Sequence, residues 1–224
     1  MSNRAYLKVW CREVTPGSLL PLLRGFLQTL PLSRTRPGFT QMVLRAIDTA
    51  EAPVLERDLR SSPASPAEIT DSLGESFQMD SAVELEAWWD LWLLDPASGE
   101  WAEQPLRLEI ICYAPEFEDE IWRDSGHFNV DLGFEHLFTG HAGLLGNGSS
   151  SPAAPQHPAE EEFLRRMSQP ETLREYAERT RENIRRLQGW VQRIAQALPL
   201  ERFALSSEGE EDFEARLDAI ETAD

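Results

Sequence analysis

The side chains best suited to chemistry lie between His127 and His141. From His127 to Phe134, the residues Phe128, Val130, Leu132 and Phe134 fall on one side and His127, Asn129 and Asp131 on the other. That is the period-two pattern of a half-buried strand. Glu135, His136 and His141 follow directly. Imidazole, amide and carboxylate groups of this kind hold metal ions or form acid–base pairs. The spacing specifies neither chemistry: His136 and His141 are five residues apart, which is not helical neighbour spacing and not HExxH. An outward polar strand face accounts for the same residues and is the commoner fate of such side chains. His127, Asn129, Asp131 and His136 are the candidate catalytic residues; no metal site and no cofactor are assigned.

Other chemistries find less support. There is no GxSxG, and neither Cys11 nor Cys112 stands at a turn into a helix where its thiolate would be favoured. Two cysteines in strand patterns make no disulfide framework and read as buried free thiols. Gly146-Asn147-Gly148 lacks the following Lys and the strand-to-helix context of a phosphate loop. The cluster Arg174, Arg181, Arg185 and Arg186 is interleaved with Glu and reads as a solvated helix face.

The element that must position these groups is a long β-hairpin over residues 81–114. Val83, Leu85, Ala87, Trp89, Leu91 and Leu93 alternate with Glu84, Glu86, Trp88, Asp90, Trp92 and Leu94; Leu106, Leu108, Ile110 and Cys112 alternate with Arg107, Glu109, Ile111 and Tyr113. Residues 95–100 supply turn chemistry between the runs. With Asp95 facing Glu100, Val83 pairs with Cys112, Leu85 with Ile110, Ala87 with Leu108 and Trp89 with Leu106. A slip of one residue would turn every apolar side chain outward, so the register is fixed. The opposite face carries Trp88, Trp92, Trp101 and Arg107, with Arg107 placed to stack on Trp88. Trp with Arg is the composition of interaction hot spots, which makes these four the candidate binding residues. The alternative is that another element, such as the long C-terminal helix, covers the rings.

Around the hairpin, residues 5–14 read as a strand. Leu19, Leu22, Leu23, Phe26, Leu27 and Leu30 read as a helix capped at Ser18, and residues 39–50 as a second strand parallel to the first if both share a sheet. Residues 54–59 offer a short strand, and Ser65 with Glu68 a capping box for a short helix. Residues 146–158 have linker composition. A helix capped by Ser168 and Glu171 runs to Leu198, with Leu173, Ala177, Ile184, Leu187, Val191 and Ile194 on a stripe wide enough for packing within one protomer rather than a coiled coil. The tail holds Phe213, Leu217 and Ile220 at helical spacing. The expected fold is α+β: a mixed or antiparallel sheet around the hairpin with helices on one face, ferredoxin-like in spirit, and a helical C-terminal region. It divides into residues 1–145, a linker at 146–158 and residues 159–224.

Composition then limits the partners. The 224 residues are 41% hydrophobic with 7 Trp and 10 Phe, enough for a sizeable core. A net charge of −18 argues against nucleic acid and anionic membranes and permits a basic protein as partner. Residues 208–224 alone carry eight carboxylates and one Arg. Lys8 is the single lysine, the codon bias of a GC-rich, bacterial genome. No signal-peptide core or spanning stretch is evident, so a soluble cytoplasmic protein, monomer or homodimer, is expected. The favoured function is a non-catalytic protein-binding module of the acidic inhibitor or toxin-neutralising type. The alternative is a small-ligand- or metal-binding enzyme using the His127, Asn129 and Asp131 face.

Overall fold

The two alternating runs of the hairpin meet in the expected register: Val83 opposes Cys112, Leu85 opposes Ile110, Ala87 opposes Leu108, Trp89 opposes Leu106 and Leu94 opposes Trp101. The fold around them is seen in a computed structural model, which describes residues 3–95, 98–141, 144–145 and 158–223. Its strands are β1 (Arg4–Cys11), β2 (Phe39–Ala46), β3 (Leu55–Asp58), β4 (Ser81–Leu94), β5 (Trp101–Tyr113), β6 (Phe128–Phe134) and β7 (Leu200–Ser207). Its helices are α1 (Leu19–Thr29), α2 (Pro66–Leu73), α3 (Trp122–Ser125), α4 (His136–Thr139), α5 (Pro158–Met167), α6 (Pro170–Ala197) and α7 (Phe213–Thr222). The strands form one sheet in the order β3-β2-β4-β5-β6-β1-β7. Every neighbouring pair is antiparallel. The fold is therefore α+β, and its likeness to a ferredoxin-like arrangement stays loose. Antiparallel steps from β1 through β6, β5 and β4 to β2 make β1 and β2 point the same way, as their helical connection requires, with three strands between them.

One face of the sheet is the core. Leu7, Val9, Met42, Leu44, Val83, Leu85, Trp89, Leu108, Ile110, Phe128 and Val130 are buried there together with the stripes of α1, α6 and α7. Phe26 of α1 stacks on Phe128 at 4.1 Å, and Trp190 of α6 meets Phe26 at 6.2 Å and Trp89 at 5.9 Å. The Trp190 indole donates to Thr29 Oγ1 at 3.1 Å, which lets a large amphipathic ring sit fully buried. Thr180, which fills the gap in the apolar repeat of α6, is buried with the rest. The stripe is thus consumed within the protomer.

Several local expectations are met and two are corrected. Ser65 and Glu68 close a reciprocal capping box on α2. Phe213, Leu217 and Ile220 are the buried side of α7. The long helix, however, does not start from a Ser168 cap. Ser168 Oγ donates to Arg165 C=O at 2.7 Å in the junction after α5, and α6 opens on Pro170. The C-terminal region also contributes a strand that its helical composition did not announce, since β7 pairs along β1 from Ala5 opposite Ser207 to Cys11 opposite Leu200. The linker expected at 146–158 lies outside the described residues apart from Pro158, where α5 begins.

The hairpin is longer than its neighbours. β2 accompanies β4 only from Ser81 to Ala87, and β6 accompanies β5 only from Glu109 to Cys112. Beyond that point the alternate backbone groups of β4 that would face β2 find substitutes. Ser33 N–H donates to Trp88 C=O at 2.7 Å, Arg186 Nη1 donates to Asp90 C=O at 2.6 Å, and Asn183 serves Trp92 on both sides. Its Oδ1 accepts from Trp92 N–H at 2.9 Å, while Nδ2 donates to Trp92 C=O at 3.0 Å and to Leu137 C=O at 3.1 Å. Asn183 is buried, so removing its amide strands three backbone groups away from water. Asn183→Ala is expected to lower the urea midpoint by an amount equivalent to about 2–4 kcal/mol with an unchanged m-value. Asn129→Ala, on the open face, is expected to stay within about 0.5 kcal/mol.

Candidate functional site

The histidine-bearing strand distributes its polar groups to two different places. His127 immediately precedes β6 and is buried; its Nδ1 accepts from Cys11 N–H at 3.1 Å, and its ring stacks on Trp122 of α3 at 4.3 Å. Burial pushes its pKa down to about 4. It acts as a strut between β1 and α3. Asn129 lies on the open face between Lys8 and Ile111. Asp131 is ion-paired with Arg4 and accepts from Gly133 N–H at 2.8 Å, so its charge is already answered. His136 opens α4 beyond the far end of β6, about 20 Å of strand away from His127. These four residues do not form one site. Among the described residues, no three His, Cys, Asp or Glu side chains converge as metal ligands.

The aromatic set divides as well. Trp88 is covered by the guanidinium of Arg36 at 4.4 Å, while Arg107, expected over Trp88, is ion-paired to Glu86 and Glu109 at 2.7 Å each. Two carboxylates within reach outbid a ring face for the same cation. Trp92 lies under Arg179 of α6 at 3.9 Å, and Trp101 packs on Tyr176 of α6 at 5.5 Å. The long helix therefore does cover these two rings.

Where the sets meet is a cavity of about 210 Å³ between the hairpin tip, α4 and α6. Trp92, Trp101, Phe134, His136, His141 and Tyr176 are among its lining residues. The two imidazoles lie 3.9 Å apart, and His136 stacks on Phe134 at 5.6 Å. Tyr176 Oη accepts from His141 N–H at 2.9 Å and lies 2.9 Å from His141 Nδ1. Burial, reinforced by His141, pushes the His136 pKa down to about 4; burial pushes that of Tyr176 up to about 12, against the hydrogen bond from the His141 backbone. His141 shifts downward for the same reason, although its outer edge is exposed. Neutral imidazoles beside a protonated phenol offer hydrogen bonds without charge. Tyr176 and Asn183 appear in the sequence only as flanks of a helical stripe, and nothing in the local pattern marks them.

A second concave place lies at the other edge of the sheet. Val191 and Ala195 of α6, Phe203 and Leu205 of β7, and Leu217 of α7 line an apolar groove of about 440 Å³. Glu214 and Asp218 of α7 form its rim, with Gln188 and Gln192; among the described residues no Lys or Arg lines it. Phe203 is 39% exposed there. Among the described residues, β7 ends the sheet and its outer edge has no strand partner. Leu205 N–H on that edge is held by the Glu214 carboxylate at 2.8 Å, and by the alternation of the ladder Phe203 presents its backbone to the same side. Among the described residues, no helix is long and apolar enough to cross a membrane.

The lowered His127 pKa makes a stability prediction. The folded state resists a proton that the unfolded chain accepts near pH 6.5, so the unfolded state binds more protons between about pH 6.5 and 4. Stability is therefore complete above that window and falls as the pH drops through it, by about 3 kcal/mol at most for this one group, and levels off below. Urea titrations at successive pH values, with the His127 and His136 resonances followed by NMR, check both the window and its owners. Compared with protein-family models, with curated proteins and with solved structures, the chain matches none.

Proposed function

We propose that this chain is a non-catalytic protein-binding module, an acidic inhibitor or toxin-neutralising protein that captures a basic partner in the groove between α6, β7 and α7. One observation carries the reading: an apolar floor, an acidic rim and an unpaired strand edge coincide at one place. Each supplies a different part of recognition. At Phe203 the edge offers main-chain hydrogen bonds to an added strand, which would also have to take Leu205 N–H from Glu214, and the floor offers room for its alternate side chains. The rim selects for Lys and Arg and speeds encounter. A second copy of the chain is the poorer occupant, because edge-to-edge pairing of two β7 strands would set Glu201, Glu214 and Asp218 against themselves. Two buried free thiols suit a reducing, cytoplasmic compartment.

The test is selection of a random peptide display library, about 12 residues long, against the immobilised full chain. Enriched peptides are expected to alternate apolar residues with Lys or Arg and to bind more weakly as salt rises. Asp218→Lys should weaken them about tenfold and flatten the salt dependence, equivalent to about 1.4 kcal/mol. Phe203→Ser should weaken them at least as much, while Trp88→Ala on the opposite face leaves them unchanged. Peptides without basic residues, or binding indifferent to both groove variants, would overturn the reading.

A further inference from the structure

The free edge of β7 is guarded at one point. Glu214, in the first turn of α7, accepts from Leu205 N–H at 2.8 Å, a bond from the strand edge to a helix nine residues away. Among the described residues this is the only hydrogen bond of the Glu214 carboxylate, and no Lys or Arg pairs with it. The one cation of α7, Arg216, is turned to Glu210 at 3.7 Å instead. Asp218 lies one helical turn beyond Glu214 and lines the same groove. Like charges at that spacing repel, so a cation set between the two carboxylates would be held by both.

A strand added to β7 needs the N–H that Glu214 occupies. Phe203 and Leu205 are two residues apart, so both turn their backbone groups to the free edge and their side chains to the groove. Every pair in this sheet is antiparallel. In that mode the partner residue opposite Leu205 takes its N–H and projects its own side chain to the groove side, beside Glu214. The residue two positions later in the partner then stands opposite Phe203, over the apolar floor. An uncharged side chain opposite Leu205 would displace the carboxylate and offer it nothing in exchange. A Lys or Arg there replaces the lost N–H with an ion pair.

We infer that Glu214 is a latch on the β7 edge, and that it restricts the groove to an extended segment with Lys or Arg two residues before a large apolar residue. The inference rests on the reading of the groove as the docking site of a basic partner, and adds to it a register and a specificity-determining residue. In the free protein the same latch keeps the edge occupied, which discourages addition of the wrong strand.

Two measurements on the full chain, labelled with 15N, separate the latch from the docking site. Amide hydrogen exchange in the free protein, corrected for intrinsic rates, should be at least about tenfold slower at Leu205 than at Phe203. Glu214→Ala should bring Leu205 to the Phe203 rate, while Ala204, across from Lys8 of β1, keeps its protection. Equal rates at Leu205 and Phe203 in the unaltered chain would overturn the latch whatever the groove binds, and this comparison stands even if the variant fails to fold. The capped peptide Thr-Leu-Thr-Lys-Thr-Leu-Thr and its analogue with Gln in place of Lys are then titrated. The unaltered chain should bind the Lys peptide at least about tenfold more tightly than the Gln analogue. Glu214→Ala should bind the Gln analogue about tenfold more tightly than the unaltered chain does, because the edge is already open. A carboxylate acting through charge alone would instead weaken the Lys peptide and leave the analogue unchanged, which overturns the latch and spares the docking site. Failure of both peptides to bind either form, with the exchange difference intact, would overturn the docking site and the register with it.

Discussion

The constraint on which the structure depends is the length of the hairpin. β4 has 14 residues and β5 has 13, while β2 and β6 accompany only their inner halves. The outer half therefore carries backbone N–H and C=O groups that no strand satisfies, and a polar backbone group buried without a partner costs about as much as a lost hydrogen bond. Helix α6 answers most of the need, through Asn183 at Trp92 and Arg186 at Asp90, with the chain after α1 completing it at Trp88. Once pinned across the hairpin, α6 lays Arg179 on Trp92 and Tyr176 on Trp101. The aromatic cavity lies where the two-stranded arm meets the helix through flat rings.

The same helix accounts for the far edge of the sheet. α6 ends at Ala197, Leu198 and Pro199 turn the chain, and Pro199 C=O accepts from Arg12 N–H at 2.8 Å. That bond starts β7 alongside β1, and the tail then folds α7 back, with Arg181 of α6 donating to Ile220 C=O at 3.0 Å near the end of α7. A cation on those last carbonyls suits the negative end of a helix. One element thus builds both concave places, from opposite ends of its length.

What the sequence disclosed follows from how local each signal is. The hairpin register was legible because two alternating runs must agree with each other and with one turn. The α2 capping box and the buried side of α7 were legible because each involves neighbours within a turn or two. β7 was not, because its partner β1 lies nearly the whole chain away; its alternation of Phe203 and Leu205 is short and sits between helical stretches. The candidate site was legible in residue type and not in place. His127 opens the strand pattern and His136 follows its end, but nothing local states that the groups at the two ends of that strand serve different places. Tyr176 and Asn183 were hidden for a related reason: a helical stripe reports which residues are buried, and what they touch is decided by the element that arrives from elsewhere.

Charge finally separates the two faces of the sheet. On the open face the carboxylates are answered one by one, Glu84 by Arg45 at 2.6 Å, Glu86 and Glu109 by Arg107, and Asp131 by Arg4. Pairs of this kind contribute little to a field felt at a distance, because each is a dipole in water and salt screens the remainder. The long-range field of a chain with net charge −18 must then come from carboxylates without such partners, and residues 208–224 hold eight carboxylates against one Arg. Their helix forms one wall of the apolar groove. A basic segment approaching this molecule would be drawn toward the place where the sheet has a free edge and the core comes nearest the surface, and away from the broad open face whose tryptophans are already capped by arginine.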